Sequence, residues 1–177
     1  TLGRAPNVPA DGCVLCVGTL EPRKNIGTLL DAYARLLSRR TSLPRLVLAG
    51  RATPEASEWL SRIARTPLAG HVTHLGYVPN EEREALYASA RLLVMPSLDE
   101  GFGLPALEAM SAGIPVIVSS RGSLPEVVAD AGTLVDPLDA AALADAIERA
   151  VSDDEWALPA AQAGLARARH FAWADSA

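Results

Sequence analysis

DEGFGLPALEAMSAG, residues 99–113, joins an acidic, glycine-rich turn to an amphipathic helix, between the apolar runs LLVMP at 92–96 and PVIVSS at 115–120. Ligands of open parallel sheets sit beyond the carboxyl ends of the strands, so this junction is a candidate site. Glu100 falls in the turn and Glu108 on the helix. With a helix starting near Gly103, Leu104 and Leu107 point toward the sheet, and Met110 lies close to the same face. Glu108, beside an apolar position near the helix start, is not where a merely solubilising carboxylate is needed.

The same unit repeats on both sides. CVLCVG at 13–18 reads as a buried strand, TLEPRKN at 19–25 as a loop, and from Ile26 apolar residues recur at helical spacing, with Asn25 placed as the cap. Arg45 to Ala49 is a strand closed by Gly50, and Pro54 opens a helical stretch. HVTHLGYVP at 71–79 is a strand and loop, and Asn80 is positioned to cap a helix with Glu81 and Glu82 in its first turn. Leu92 to Met95 and Pro115 to Ser119 are strands. Ser123 with Glu126 fits a capping box, with Gly132 placed to terminate that helix. Thr133 to Val135 is a last strand, Asp139 caps a helix, and residues 155–169 form an alanine-rich helical tail. About six short strands alternating with helices give an α/β fold, a Rossmann-like doubly wound parallel sheet. The expected boundaries are an entering arm at 1–12, a nucleotide-binding domain at 13–151 and a truncated helical tail at 152–177.

Bulk properties narrow the function. A chain of 177 residues, 49% of them hydrophobic, can bury a real core without metal or disulfide staples. Lys and Arg number 16 against 21 Asp and Glu, a formal charge of -5, which argues against a nonspecific nucleic-acid surface while leaving room for a local phosphate site. Cys13 and Cys16 sit in a strand-like run; with only His71, His74 and His170 elsewhere they read as reduced, buried or half-buried thiols rather than zinc ligands. No run reaches the length of a membrane span and nothing resembles a secretion signal, so a cytoplasmic protein is expected, with attachment to the inner membrane face left open.

Two loops carry the chemistry. Arg23 and Lys24 stand just before a helix amino terminus, where cations beside unpaired backbone N–H groups make a diphosphate cradle; the plainer reading is a pair of solvated charges. Neither GxxxxGK[ST] nor GxGxxG is present. Gly101 and Gly103 let the backbone approach a ligand, and Glu100 and Glu108 can each grip adjacent sugar hydroxyls. Against that stand an N-terminal helix charge for Glu100 and a solvent-facing helical residue for Glu108. A glycoside hydrolase carboxylate pair is the other possibility the two glutamates raise, but the wider pattern points elsewhere. The polar stretch 119–123 fits phosphate contact or helix capping equally. His74, Tyr77 and Val78 occupy a loop where a planar base could rest, and packing explains Tyr77 as well. Trp156 and Trp173 carry no functional signal.

VGTLEPRKNIGTLLDAY, AGR, LGYVP, PSLDEGFGLPALEAMSAGIPVIVSS and SLPEVVADAG, in that order, resemble the carboxyl-terminal domain of the retaining glycosyltransferases of family 4, whose fold of two Rossmann-like domains is called GT-B. The likeness runs from about Cys13 to Ala150 and leans toward bacterial polysaccharide or O-antigen transferases, often mannosyltransferases. It implies that Arg23 and Lys24 bind the donor diphosphate, that Glu100 contacts the donor sugar and Glu108 the ribose, and that Glu100, Arg23 and Lys24 serve the reacting centre. It further implies that the backbone of Gly101, Phe102, Gly103 and Leu104 donates N–H groups to sugar and phosphate, and that Gly18, Gly50, Arg51, Tyr77 and Val78 line the donor pocket.

The resemblance also implies retention of anomeric configuration, a GDP- or UDP-sugar as substrate, no metal or other cofactor, and a glycan or lipid-linked acceptor. The family's amino-terminal acceptor-binding domain is not among these residues, and the final family helix looks curtailed after Trp173, so the chain is expected to bind donor but turn over little alone. Asp99 departs from the aromatic or aliphatic residue frequent at that position. The rival expectations are a stand-alone nucleotide-binding module or subunit, and a sugar-nucleotide epimerase of GT-B type.

Overall fold

The computed structural model describes residues 5–171. Among these residues six parallel strands form one sheet in the order β3-β2-β1-β4-β5-β6. They are β1 (Cys13–Val17), β2 (Leu46–Ala49), β3 (Val72–Gly76), β4 (Ala90–Met95), β5 (Val116–Ser119) and β6 (Thr133–Val135). Between and after them lie α1 (Ile26–Arg39), α2 (Ser57–Ile63), α3 (Asn80–Ala88), α4 (Leu104–Ala112), α5 (Leu124–Val128), α6 (Ala140–Ser152) and α7 (Asp154–Ala168). The expected doubly wound sheet is present. Its order reverses between β1 and β4, the switch point at which a doubly wound sheet opens a crevice.

Side-chain alternation along the strands builds a core on each face. Val14, Cys16, Leu46, Leu48, Leu92 and Val94 pack with Leu29, Leu30, Tyr33 and Leu36 of α1 and Leu143 and Ile147 of α6. Leu15, Leu93, Met95 and Val118 pack with Leu107 and Met110 of α4 and Val127 and Val128 of α5. Each fully buried leucine contributes roughly 1.5–3 kcal/mol. Asp139 caps α6 as expected, its carboxylate accepting from the Ala142 N–H at 2.9 Å. The arm is pinned at residue 7, where the Asn7 N–H donates to the Gly113 carbonyl at 2.7 Å. Helix α7 lies close against α4: a Cβ on Gly164 would stand 3.2 Å from Met110 Cγ.

Several local expectations fail. Leu104 does not face the sheet; it is 46% exposed, while Leu107 and Met110 are buried. The three other predicted caps do not form as side-chain caps. Asn25 donates instead to the carbonyls of Pro96 (2.9 Å) and Pro137 (2.6 Å). Asn80 is the first residue of α3 and accepts from Arg83 at 3.2 Å. Ser123 donates to the Glu100 carbonyl at 3.0 Å, and α5 ends at Val128, before Gly132. Trp173 lies outside the described residues.

Candidate functional site

The crevice between β1 and β4 is closed at its floor by hydrogen bonds between the loops that leave the two strands. The Leu98 N–H donates to the Arg23 carbonyl at 2.7 Å, and Arg23 Nη1 donates to the Asp99 carbonyl at 3.3 Å. Across this seam the adjacent Arg23 and Lys24 form one ion-pair cluster with the distant Glu100. Lys24 Nζ donates to Glu100 Oε1, which also accepts from Ser97 Oγ at 2.8 Å; Arg23 Nη1 meets Glu100 Oε2 at 3.2 Å.

The two cations differ in setting. The Lys24 side chain is buried, whereas that of Arg23 is 46% exposed and also pairs with Glu21 at 2.7 Å. Burial raises the Glu100 carboxyl, but hydrogen bonds from Lys24 and Ser97, with the charges of Lys24 and Arg23, outweigh it and hold the group below its ordinary value. Gly18 makes room for this arrangement: its φ is +144°, and a Cβ there would stand 2.9 Å from Lys24 Cε. Gly122 does the same behind Glu100, where a Cβ would meet the Glu100 backbone N at 3.1 Å. The polar stretch 119–123 therefore buttresses the Glu100 backbone.

Next to the cluster a cavity of about 430 Å³ opens at the carboxyl ends of β1 and β2. Gly18, Gly50, Arg51, Tyr77, Val78, Leu104 and Glu108, all anticipated from sequence, line it. Gly50 lets two strand ends meet: with φ +151°, a Cβ would fall 1.9 Å from the Gly18 carbonyl oxygen. Tyr77 is 61% exposed, so packing does not account for it. The Arg51 guanidinium lies over its ring at 4.9 Å. His74 Nε2 is 2.8 Å from the Gly50 carbonyl oxygen, which ties β3 to this rim.

Glu108 Oε2 is engaged twice, accepting from Tyr87 Oη at 2.6 Å and from Arg83 Nη2. Arg83 and Tyr87 line the cavity too. Sequence reasoning missed both, along with Ser97; the spacing of Arg83 and Tyr87, which puts them on one face of α3, was the available signal. Gly101, Phe102 and Gly103 are outside the cavity lining. Gly103 caps α4 at φ +73°, and Phe102 meets Phe171 edge-on at 6.0 Å. Burial pushes the Cys16 thiol up to about 12, so it stays protonated, while Cys13 is half-buried and free. Among the described residues no cluster of three or more His, Cys, Asp or Glu side chains is arranged to hold a metal ion, and no helix is long and apolar enough to cross a membrane.

Comparison with known proteins bears on this geometry. Residues 6–167 match the family described as glycosyl transferases group 1. The chain is 47% identical over 163 residues to O-antigen chain mannosyltransferase B of Escherichia coli, covering 92% of this chain and 42% of that protein. Among solved structures it is similar to sucrose-phosphate synthase from Thermosynechococcus elongatus, with TM-score 0.81, 35% identity, and coverage of 94% of this chain and 43% of that one. It is also similar to HepE of Anabaena in complex with UDP and glucose, with TM-score 0.77, 26% identity, and coverage of 90% and 44%. The chain thus spans less than half the length of each of these relatives.

Proposed function

The chain belongs to the glycosyl transferases group 1 family, and on that footing we propose that it is the donor-binding half of a retaining hexosyltransferase that moves a hexose, mannose being the favoured case, from a nucleoside diphosphate to a glycan or lipid-linked acceptor. The observation that carries this reading is the adjacency of a nucleoside-sized cavity to a two-cation cluster at the switch point of the sheet. The base rests at the rim formed by Arg51, Tyr77 and Val78, the ribose at Glu108, and the diphosphate against Arg23 and Lys24. Glu100 then faces the sugar.

Leaving-group charge develops on the diphosphate as the glycosidic bond breaks, and nearby cations with helix N–H groups stabilise it. The exposed Arg23 is free to turn from Glu100 to phosphate, while the buried Lys24 keeps the glutamate in place. The relatives' greater length supports a second, acceptor-binding domain that completes the cleft and excludes water.

Calorimetric titration with GDP, UDP and ADP, with and without magnesium, tests the reading. Saturable binding of one diphosphate at the same affinity in both conditions is expected. A cooperatively folded sample that binds none of them at about 1 mM, an affinity worth only ~4 kcal/mol, overturns it.

A further inference from the structure

Glu108 stands on α4 with its side chain partly exposed, and a free glutamate there would sample several rotamers. It is not free. Arg83 and Tyr87, one turn apart on α3, both donate to the same oxygen, Oε2. Tyr87 is buried, so its hydroxyl is placed by the packing of α3. Arg83 is steadied on its other side by Asn80 Oδ1 at 3.2 Å. Two donors on one oxygen fix the plane of the carboxylate and leave Oε1 as the edge for an incoming pair of hydroxyls.

Resting on the donor-half reading above, we infer that Tyr87 and Arg83 are positioning residues that hold Glu108 for the two adjacent hydroxyls of a ribose, and so make the site choose ribonucleotides over 2′-deoxyribonucleotides. Burial, reinforced by the hydrogen bond to Glu108, raises the Tyr87 phenol, which therefore remains a donor across the working pH range. Arg83 keeps its charge at any such pH. A carboxylate held this way meets a cis-diol with little further loss of side-chain entropy, whereas a single hydroxyl leaves one acceptor site empty.

The test is calorimetric, with UDP and GDP each titrated against its 2′-deoxy form. Wild type should prefer the ribo form by about tenfold. Tyr87→Phe, which keeps the ring in the core, should weaken the ribo form about fivefold and leave the deoxy form within about twofold. Arg83→Gln, at a half-exposed position, should narrow the same ratio. In a Glu108→Gln background, where the preference is already lost, Tyr87→Phe should change nothing further. An equal loss for both forms, or a ribo-to-deoxy ratio unchanged in both Tyr87→Phe and Arg83→Gln, overturns the positioning role while leaving the donor-half reading intact. Failure of wild type to bind either ribonucleotide overturns both.

Discussion

Two hollows of similar size sit at different ends of the sheet, and they are chemically unlike. One, about 430 Å³, opens at the carboxyl ends of β1 and β2; the other, about 510 Å³, lies beside Thr133 at the amino end of β6 and the junction of α6 and α7. In the second, two of the polar side chains are engaged in holding the fold together. Asp153 caps α7 by accepting from the Trp156 N–H at 3.1 Å, and the Arg149 guanidinium lies over the Trp156 ring at 5.8 Å. In the first, close-set glycines bare the backbone, and Gly18 of the lining stands against Lys24 of the ion-pair cluster, whose members Arg23, Lys24 and Glu100 lie just outside the lining. Volume does not separate these two hollows; the position of the strand ends and the kind of polar group beside them do.

Removing the cations is the severest way to break that contrast. Arg23→Ala with Lys24→Ala should weaken a nucleoside diphosphate at least about tenfold, or ~1.4 kcal/mol, and barely alter binding of the free nucleoside. Equal affinities of wild type and double variant for the diphosphate would detach the cluster from phosphate altogether.

Acid sharpens the comparison more gently. Because the folded Glu100 carboxyl titrates below its ordinary value of 4.5, its pairing stabilises the fold fully above that value and is lost as pH falls through the lower, folded one. Stability measured by denaturant titration should therefore decline on the acid side, and Glu100→Gln should flatten that decline. If Glu100→Gln leaves the slope unchanged, the cluster contributes nothing to stability.

What could be read from sequence divides along the same lines. Strands, helices and the parallel order follow from periodicity and turn residues, which are local. The cavity lining was legible because Gly18, Gly50 and Val78 all follow strands, and a parallel sheet brings such positions to one end. The Lys24–Glu100 pair was not, since nothing local joins residues 76 apart. Nor was the partnership of Glu108 with Tyr87 and Arg83, which depends on the register of α3 against α4. The failed caps have the same cause. Asn25 and Ser123 carry side chains suited to capping, yet each bonds a distant carbonyl, Pro96 and Pro137 for one and Glu100 for the other, because the converging loops need those carbonyls satisfied. Leu104 was assigned to the core by spacing alone, although the first residue of a helix that begins at a cavity rim can face the opening.

The central claim is one of place: that the end of the sheet at β1, β2 and β4 receives the nucleotide. An amide-resolved NMR titration with the diphosphate that binds, GDP or UDP, tests it most directly. Saturable shifts at Gly18, Gly50, Tyr77 and Glu108, with the amides of Thr133, Arg149 and Trp156 unmoved, are the predicted result. Shifts centred on Arg149 and Trp156 would contradict the account.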